Sequence, residues 1–91
     1  MATIAAFRKL DQEHAALTLR EAGEKLDGTD REMVLDLSEL RRIDSATLRA
    51  LEDFIRIADE KSVRVVLSSV NLDVYKVLKL VKLTSRFGWV N

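Results

Sequence analysis

The run MVLDL (33–37) is short and apolar, as is RVVLSSV (64–70), and the stretch between them, from Ser45 to Glu60, has the periodicity of a long helix. That order restricts the fold sharply. Two strands joined through a helix and paired in one sheet are expected to run parallel, since an antiparallel pair needs only a tight turn. Their connection is expected to be right-handed. MVLDL is apolar on both faces, which suits a central strand of a sheet covered by helices. ATIAAF (2–7) reads as a further strand. Asp11 then opens a first helix, its oxygen accepting from free N–H groups of the first turn while Glu13 favours the positive end of the dipole. Ala15, Leu19, Ala22 and Leu26 recur at helical spacing, with Gly28 as the stop. A third helix starts at Asn71 or Asp73 and carries Val74, Val77, Leu78 and Val81, and FGWVN (87–91) adds a short edge strand. The expected fold is a small α/β domain over residues 1–91, with about four mostly parallel or mixed strands alternating with three helices.

Composition removes several classes of function. Fifteen basic residues balance fifteen acidic ones, so no general attraction to nucleic acid or to an anionic membrane is expected. Cysteine is absent, which excludes disulfides and thiolate chemistry, and a single histidine, His14, excludes a multi-histidine metal site. No apolar run approaches the roughly 20 residues that span a bilayer. The N-terminus MATIAAFRKL lacks the apolar core of a signal peptide, so the expected location is the cytoplasm. No glycine-rich phosphate loop or nucleophile elbow is present, and neither an enzyme nor a cofactor is expected.

The helix from Ser45 to Glu60 is strongly two-faced. At 100° per residue Ala46, Leu48, Ala50, Leu51, Phe54, Ile55, Ile57 and Ala58 share an arc of about 200°, whereas an apolar stripe of a little over 100° suffices to lie on one sheet. The surplus, on the side of Ala46, Ala50, Phe54 and Ile57, is either buried against a neighbouring helix or exposed as a partner surface. Asp44 and Ser45 are both favoured helix caps. With Asp44 as the cap, Ser45 becomes the first helical residue and its hydroxyl is left for solvent. A phosphate there would lie beside unpaired N–H groups and the positive dipole end, adding nearly two charges without melting the helix. Capping alone and a phosphorylation switch therefore both fit Ser45.

Residues 33 to 51, MVLDLSELRRIDSATLRAL, resemble the core of STAS domains, the anti-sigma-factor-antagonist family. The similarity rests on an apolar strand ending in Asp36-Leu37-Ser38, then Asp44-Ser45 opening a helix with Leu48 and Leu51. It extends back to the Leu10-Asp11 junction and forward through RVVLSSVNLDVYKVLKLVKL, covering about residues 4 to 90. The resemblance implies a partner-switching protein that binds an anti-sigma factor, itself a serine kinase of histidine-kinase-like ATPase fold, with a serine phosphatase resetting the cycle. It places the phosphoacceptor at Ser45, beside Asp44 and near Asp11, and the partner surface at Asp11, Asp44, Ser45, Ala46, Thr47, Arg49 and Ala50. Thr47 stands where many members have glycine, and the chain has room for one strand before its first helix where members usually have two. The same family also supplies docking modules that are not phosphorylated, such as subunits of lipid- or anion-transport and stress-sensing complexes, and this is the alternative reading.

Other signals have plainer explanations. His14 near Asp11 has no nucleophile or metal partner in the sequence and reads as a solvated side chain. Lys76, Lys79 and Lys82 read as the wet face of an amphipathic helix, and Trp89 as a cover for a sheet edge.

Overall fold

In the computed structural model, which describes residues 5–26 and 31–90, the strand pattern follows from alternation. Within β2 (Glu32–Glu39) Met33, Leu35 and Leu37 are buried, while Val34 and Asp36 on the other face are half-exposed. β2 pairs with β1 (Ala5–Asp11) and with β3 (Arg64–Ser68), and β3 pairs with β4 (Gly88–Val90); every pairing is parallel. The sheet order is therefore the chain order, β1-β2-β3-β4. α1 (Ala15–Lys25), α2 (Ser45–Glu60) and α3 (Leu72–Leu80) make the crossovers, and a short 3₁₀ turn (Thr84–Arg86) leads into β4.

Successive right-handed crossovers in one direction place each helix on the same side of the sheet. Residues of all three helices indeed share one core: Leu19 and Ala22 of α1, Leu51, Phe54 and Ala58 of α2, and Val74 and Leu78 of α3 close over Leu35, Leu37, Val65 and Leu67. Only one face of the sheet is covered by helices, which corrects the expectation for MVLDL. On the opposite face Phe7, Val34 and Val66 lie in register. Phe7 is exposed, and Val66 is buried although it stands outside the core cluster. The Arg64 guanidinium is close to Gly88, where an added Cβ would meet Arg64 Nη2 at 2.9 Å and Val66 Cγ2 at 3.1 Å. A glycine in β4 thus leaves room for the arginine beside the valine.

The surplus apolar side of α2 is used for packing. Ala50 and Phe54 are buried and Ile57 half-buried, and Phe54 and Ile57 pack toward Gly23 of α1, where an added Cβ would be 3.6 Å from Phe54 Cδ1 and 3.2 Å from Ile57 Cδ1. Ala46 alone of that side is exposed. Glycine is scarce in this chain, and two helices end on other residues: Ser62 (φ 58°) after α2 and Lys82 (φ 64°) after α3 take the left-handed conformation. There the Val63 N–H reaches back to Ala58 O and the Leu83 N–H to Leu78 O, satisfying carbonyls that the helix ends leave free. Gly28, expected as the stop of α1, lies outside the described residues; the helix is closed by Leu26, whose carbonyl accepts from the Lys61 ammonium.

One boundary differs from expectation. Asp11 does not open α1 but ends β1, and α1 begins at Ala15 with His14 at the N-cap position. The Asp11 carboxylate still accepts from backbone N–H groups, Glu13 at 3.0 Å and His14 at 2.7 Å, but it does so in a turn before the helix. An aspartate satisfies N–H groups in an Asx turn by the same chemistry as in a cap, so residue type alone does not separate the two.

Candidate functional site

The C-terminal ends of parallel strands gather the loops that follow them, and in open α/β sheets this is where ligands and partners are met. Here those loops are Gln12–His14 after β1, Leu40–Asp44 after β2 and Ser69–Asn71 after β3. Two amides tie them together. The Gln12 side chain accepts from the N–H groups of Arg41 (2.9 Å) and Arg42 (3.1 Å) and donates to Arg42 O (3.1 Å). Asn71 donates to Leu40 O and Arg41 O, both at 3.0 Å, while its oxygen accepts from Val74 N at 2.8 Å and so caps α3. The loop leading to α2 is held from both sides.

A third device acts inside β2. Asp36 Oδ1 accepts from the Ser38 N–H at 2.9 Å, and Leu40 N–H donates to Leu37 O at 3.0 Å. The β1–β2 register slips at this point, from Lys9 opposite Asp36 to Asp11 opposite Glu39. The Asp-Leu-Ser run is thus a local irregularity in the last residues of the strand, just before the chain turns toward α2.

α2 opens on Asp44, which has extended backbone (φ −92°, ψ 175°) and accepts from Thr47 N at 2.8 Å. The Thr47 backbone N–H, and after it the Thr47 hydroxyl, hold the Asp44 carboxyl below the usual carboxylate range. Ser45 follows as the first helical residue, exposed, and its hydroxyl makes no hydrogen bond among the described residues. Asp44, Ser45, Ala46 and Arg49 are exposed. Thr47 and Ala50 turn inward, 3% and 7% exposed, so they seat the helix and lie beneath the surface expected to include them. Arg49 makes no ion pair among the described residues, whereas Arg56, further along the polar strip, is paired with Asp53 at 3.1 Å.

Asp11 stands apart from this row. It lines a shallow bay of about 520 Å³ with Gln12, His14, Ser38, Glu39 and Arg41. Its carboxylate is held low, chiefly by the backbone N–H of His14, and lies 3.1 Å from His14 Nδ1. Among the described residues no hydrogen bond joins Asp11 to Asp44 or Ser45; the Gln12 bridge is what connects the two turns. Gln12 and Asn71 were not singled out by sequence reading, because a loop-spanning amide leaves no periodic signal. The cap spacing of Asn71 to Val74 was its one legible trace.

Three aspartates, Asp11, Asp36 and Asp44, thus have carboxyls held low first by backbone N–H groups. A group whose folded pKa is depressed contributes stability that is present above its unfolded value, near 3.8 for these, and is lost as pH falls through the folded value. The melting temperature is therefore expected to fall below about pH 4, because the unfolded chain binds more protons there. Asp44→Ala should lower the melting temperature at neutral pH, the usual effect of a lost cap. Asp44→Asn should retain most of the stability and flatten part of the acid decline, since the amide still accepts from Thr47. Thermal melts from pH 2 to 7 on the three chains check this, and an equally steep acid decline in Asp44→Asn would show that Asp44 is not among its causes.

The same architecture occurs in solved structures of low sequence identity. A sulfate transporter family protein from Wolinella succinogenes superposes with a TM-score of 0.81 at 17% identity, over 92% of this chain and 71% of that one. A Thermotoga maritima protein provisionally assigned as an anti-sigma factor antagonist matches with a TM-score of 0.73 at 22% identity, over 100% of this chain and 75% of that one. The Bacillus cell fate determinant SpoIIAA in its phosphorylated form matches with a TM-score of 0.60 at 17% identity, over 96% of this chain and 79% of that one. No curated protein sequence matches the chain. The model of the STAS domain family matches residues 4–91, nearly the whole sequence, and with the all-parallel sheet and the Asp44-Ser45 helix start in place, the chain belongs to the STAS domain family.

Proposed function

We propose that this chain is a partner-switching regulatory protein, similar in action to anti-sigma-factor antagonists, and that Ser45 is its switch. The observation that carries this reading is the division of labour at the start of α2. Asp44 alone satisfies the cap, through Thr47 N, and this frees the neighbouring, exposed Ser45 hydroxyl for modification. The surrounding surface of Asp44, Ala46 and Arg49 is suited to a protein partner, here an anti-sigma factor that is also a serine kinase of histidine-kinase-like ATPase fold, with a serine phosphatase to reverse the step. Asp11, on the adjoining turn, forms the rim. The resemblance to SpoIIAA, whose structure is of a phosphorylated form, supports the same reading. No catalysis or cofactor is assigned to the chain, and its setting is the cytoplasm.

The physical effect of phosphorylation is local. A phosphate on Ser45 is tolerated by the free protein, beside the helix N-terminus and Arg49, which makes no ion pair among the described residues. Buried in a complex the same charge costs several kcal/mol unless it is matched. Ser45→Ala should fold and bind the kinase constitutively. Ser45→Asp should also fold, yet bind at least about tenfold more weakly, a change of about 1.4 kcal/mol. The measurements are kinase affinity for both variants, thermal melts, and mass spectrometry of the ATP-treated mixture. Equal affinities with intact folding would instead assign the chain to the docking modules that work without phosphate, a role in keeping with its likeness to sulfate-transporter proteins.

A further inference from the structure

The balanced charge of the chain conceals an uneven distribution. Residues 71–91 carry four basic side chains, Lys76, Lys79, Lys82 and Arg86, against the single acid Asp73; residues 1–70 carry eleven basic against fourteen acidic. Arg86 is paired with Asp59, while the three lysines make no ion pair among the described residues. The basic segment contains the two most exposed of the large apolar side chains among the described residues, Leu72 and Leu80. α3 buries Val74 and Leu78, and its opposite side carries Leu72, Tyr75, Lys76, Lys79 and Leu80 at helical spacing. Leu72 is 64% and Leu80 80% exposed.

This stripe stands beside the end of the sheet. β4 is the terminal strand, and among the described residues its outer edge pairs with no strand. Trp89 of β4 packs edge-on against Tyr75, with ring centroids 5.5 Å apart, and its indole N–H donates to Thr84 O at 3.0 Å, which fixes the ring. Between α3 and the end of β4 lies a groove of about 440 Å³ lined by Val70, Asn71, Leu72, Tyr75, Trp89 and Val90. Three requirements for adding a strand are therefore met in one place among the described residues: a parallel edge with no neighbour, an apolar trough for alternate side chains, and flanking cations without an ion pair.

We propose that the β4 edge and the outer face of α3 are a second docking surface, which takes an extended, acidic segment of a protein partner as a fifth strand. The lysines select for acidic residues flanking the paired segment, and alternate apolar side chains within that segment enter the Tyr75–Trp89 groove. An anionic bilayer would also meet the lysines, but lipid offers no partners for the open backbone N–H and C=O groups of a sheet edge, and a peptide does. The groove shares no residue with the Asp44, Ser45, Ala46 and Arg49 surface, so it is tested independently of the switch.

Trp89 is the only tryptophan and reports directly on the groove. The probe is the seven-residue peptide Glu-Glu-Val-Thr-Val-Glu-Glu, compared with its Lys-for-Glu counterpart and with a version N-methylated on alternate residues. Addition of the acidic peptide to the full chain should shift Trp89 emission to the blue in a saturable way. The Lys peptide, the N-methylated peptide, and the acidic peptide with a Lys76→Glu/Lys79→Glu chain should each bind roughly tenfold more weakly or less, as expected when charge complementarity or edge pairing is removed. Ser45→Asp should leave the titration unchanged. The proposal is overturned if the acidic peptide gives no shift, if the N-methylated or Lys peptide binds as well as the acidic one, or if phosphatidylserine vesicles shift the emission and the peptides do not. A shift that grows with protein concentration alone would assign the edge to a second copy of the chain and equally overturn it.

Discussion

Phe54→Ala is expected to lower the stability of the folded chain by about 3–5 kcal/mol, the usual loss when a buried phenylalanine is cut back to its Cβ. Phe54 is 1% exposed and sits where α1 and α2 meet, with Gly23 on the facing helix. Glycine there brings the two helices close and offers no side chain of its own to fill the space. A domain of this size has on the order of 5–14 kcal/mol in all, so a substantial part of it would go. In urea the midpoint should fall while the dependence on denaturant stays the same, because the surface exposed on unfolding is little changed. Phe54→Leu should cost clearly less, since it retains most of the volume. A loss below about 1 kcal/mol for Phe54→Ala would mean that the helices collapse onto the gap, and that their spacing is not held by this ring.

Asn71→Ala is expected to cost about 2–3 kcal/mol, more than an ordinary cap. Part is the cap itself, the bond to Val74 N, which is worth about 1 kcal/mol. The rest is the pair of carbonyls at Leu40 and Arg41. The bond to Arg41 is exposed and water can replace it, whereas Leu40 is 1% exposed and its part-buried carbonyl, left unpaired, costs about 1–3 kcal/mol. The variants separate the two roles. Asn71→Asp retains the acceptor for Val74 but sets a carboxylate against two carbonyl oxygens, so it should be nearly as damaging as alanine. Asn71→Ser should restore the cap alone. Hydrogen exchange should also quicken at the Arg41 and Arg42 amides, since the loop would then be held from one side only, by Gln12. If Asn71→Asp proves as stable as the parent chain, the carbonyl bonds contribute nothing.

These two residues mark how far a sequence can be read. Phe54 was legible: the wheel of α2 carries more apolar residues than one sheet requires, and the surplus is spent on α1. The bounds of α2, Ser45 to Glu60, were equally plain, as were the cores of β2 and β3, because periodicity and caps there act over neighbouring residues. Asp11 was misread as a helix start, since its N–H partners look the same from sequence in a turn and in a cap. Thr47 and Ala50 were placed on a partner surface although they are buried, because a resemblance transfers positions in the chain and carries no information on which way a side chain turns. Asn71 was one of two candidate starts for the third helix, beside Asp73, but its grip on a loop thirty residues away was not legible, and neither was that of Gln12. Long-range pairing of this kind depends on the closed fold.

The chain-ordered sheet has a consequence for synthesis. Each strand neighbours the one made just before it, so no strand has to wait for a distant segment, and none is inserted between two already in place. A growing chain on the ribosome can add one strand and one helix at a time to a surface that already exists, with each new strand covering the edge left by the last. The exposed backbone edge moves along with translation, from β2 to β3 and finally to β4. Stalling after β3 would leave Val65–Ser68, a short run of high β-propensity, at the open margin. The stretch from Asn71 to Val90, which brings β4 onto that margin, is what covers this run in the folded chain.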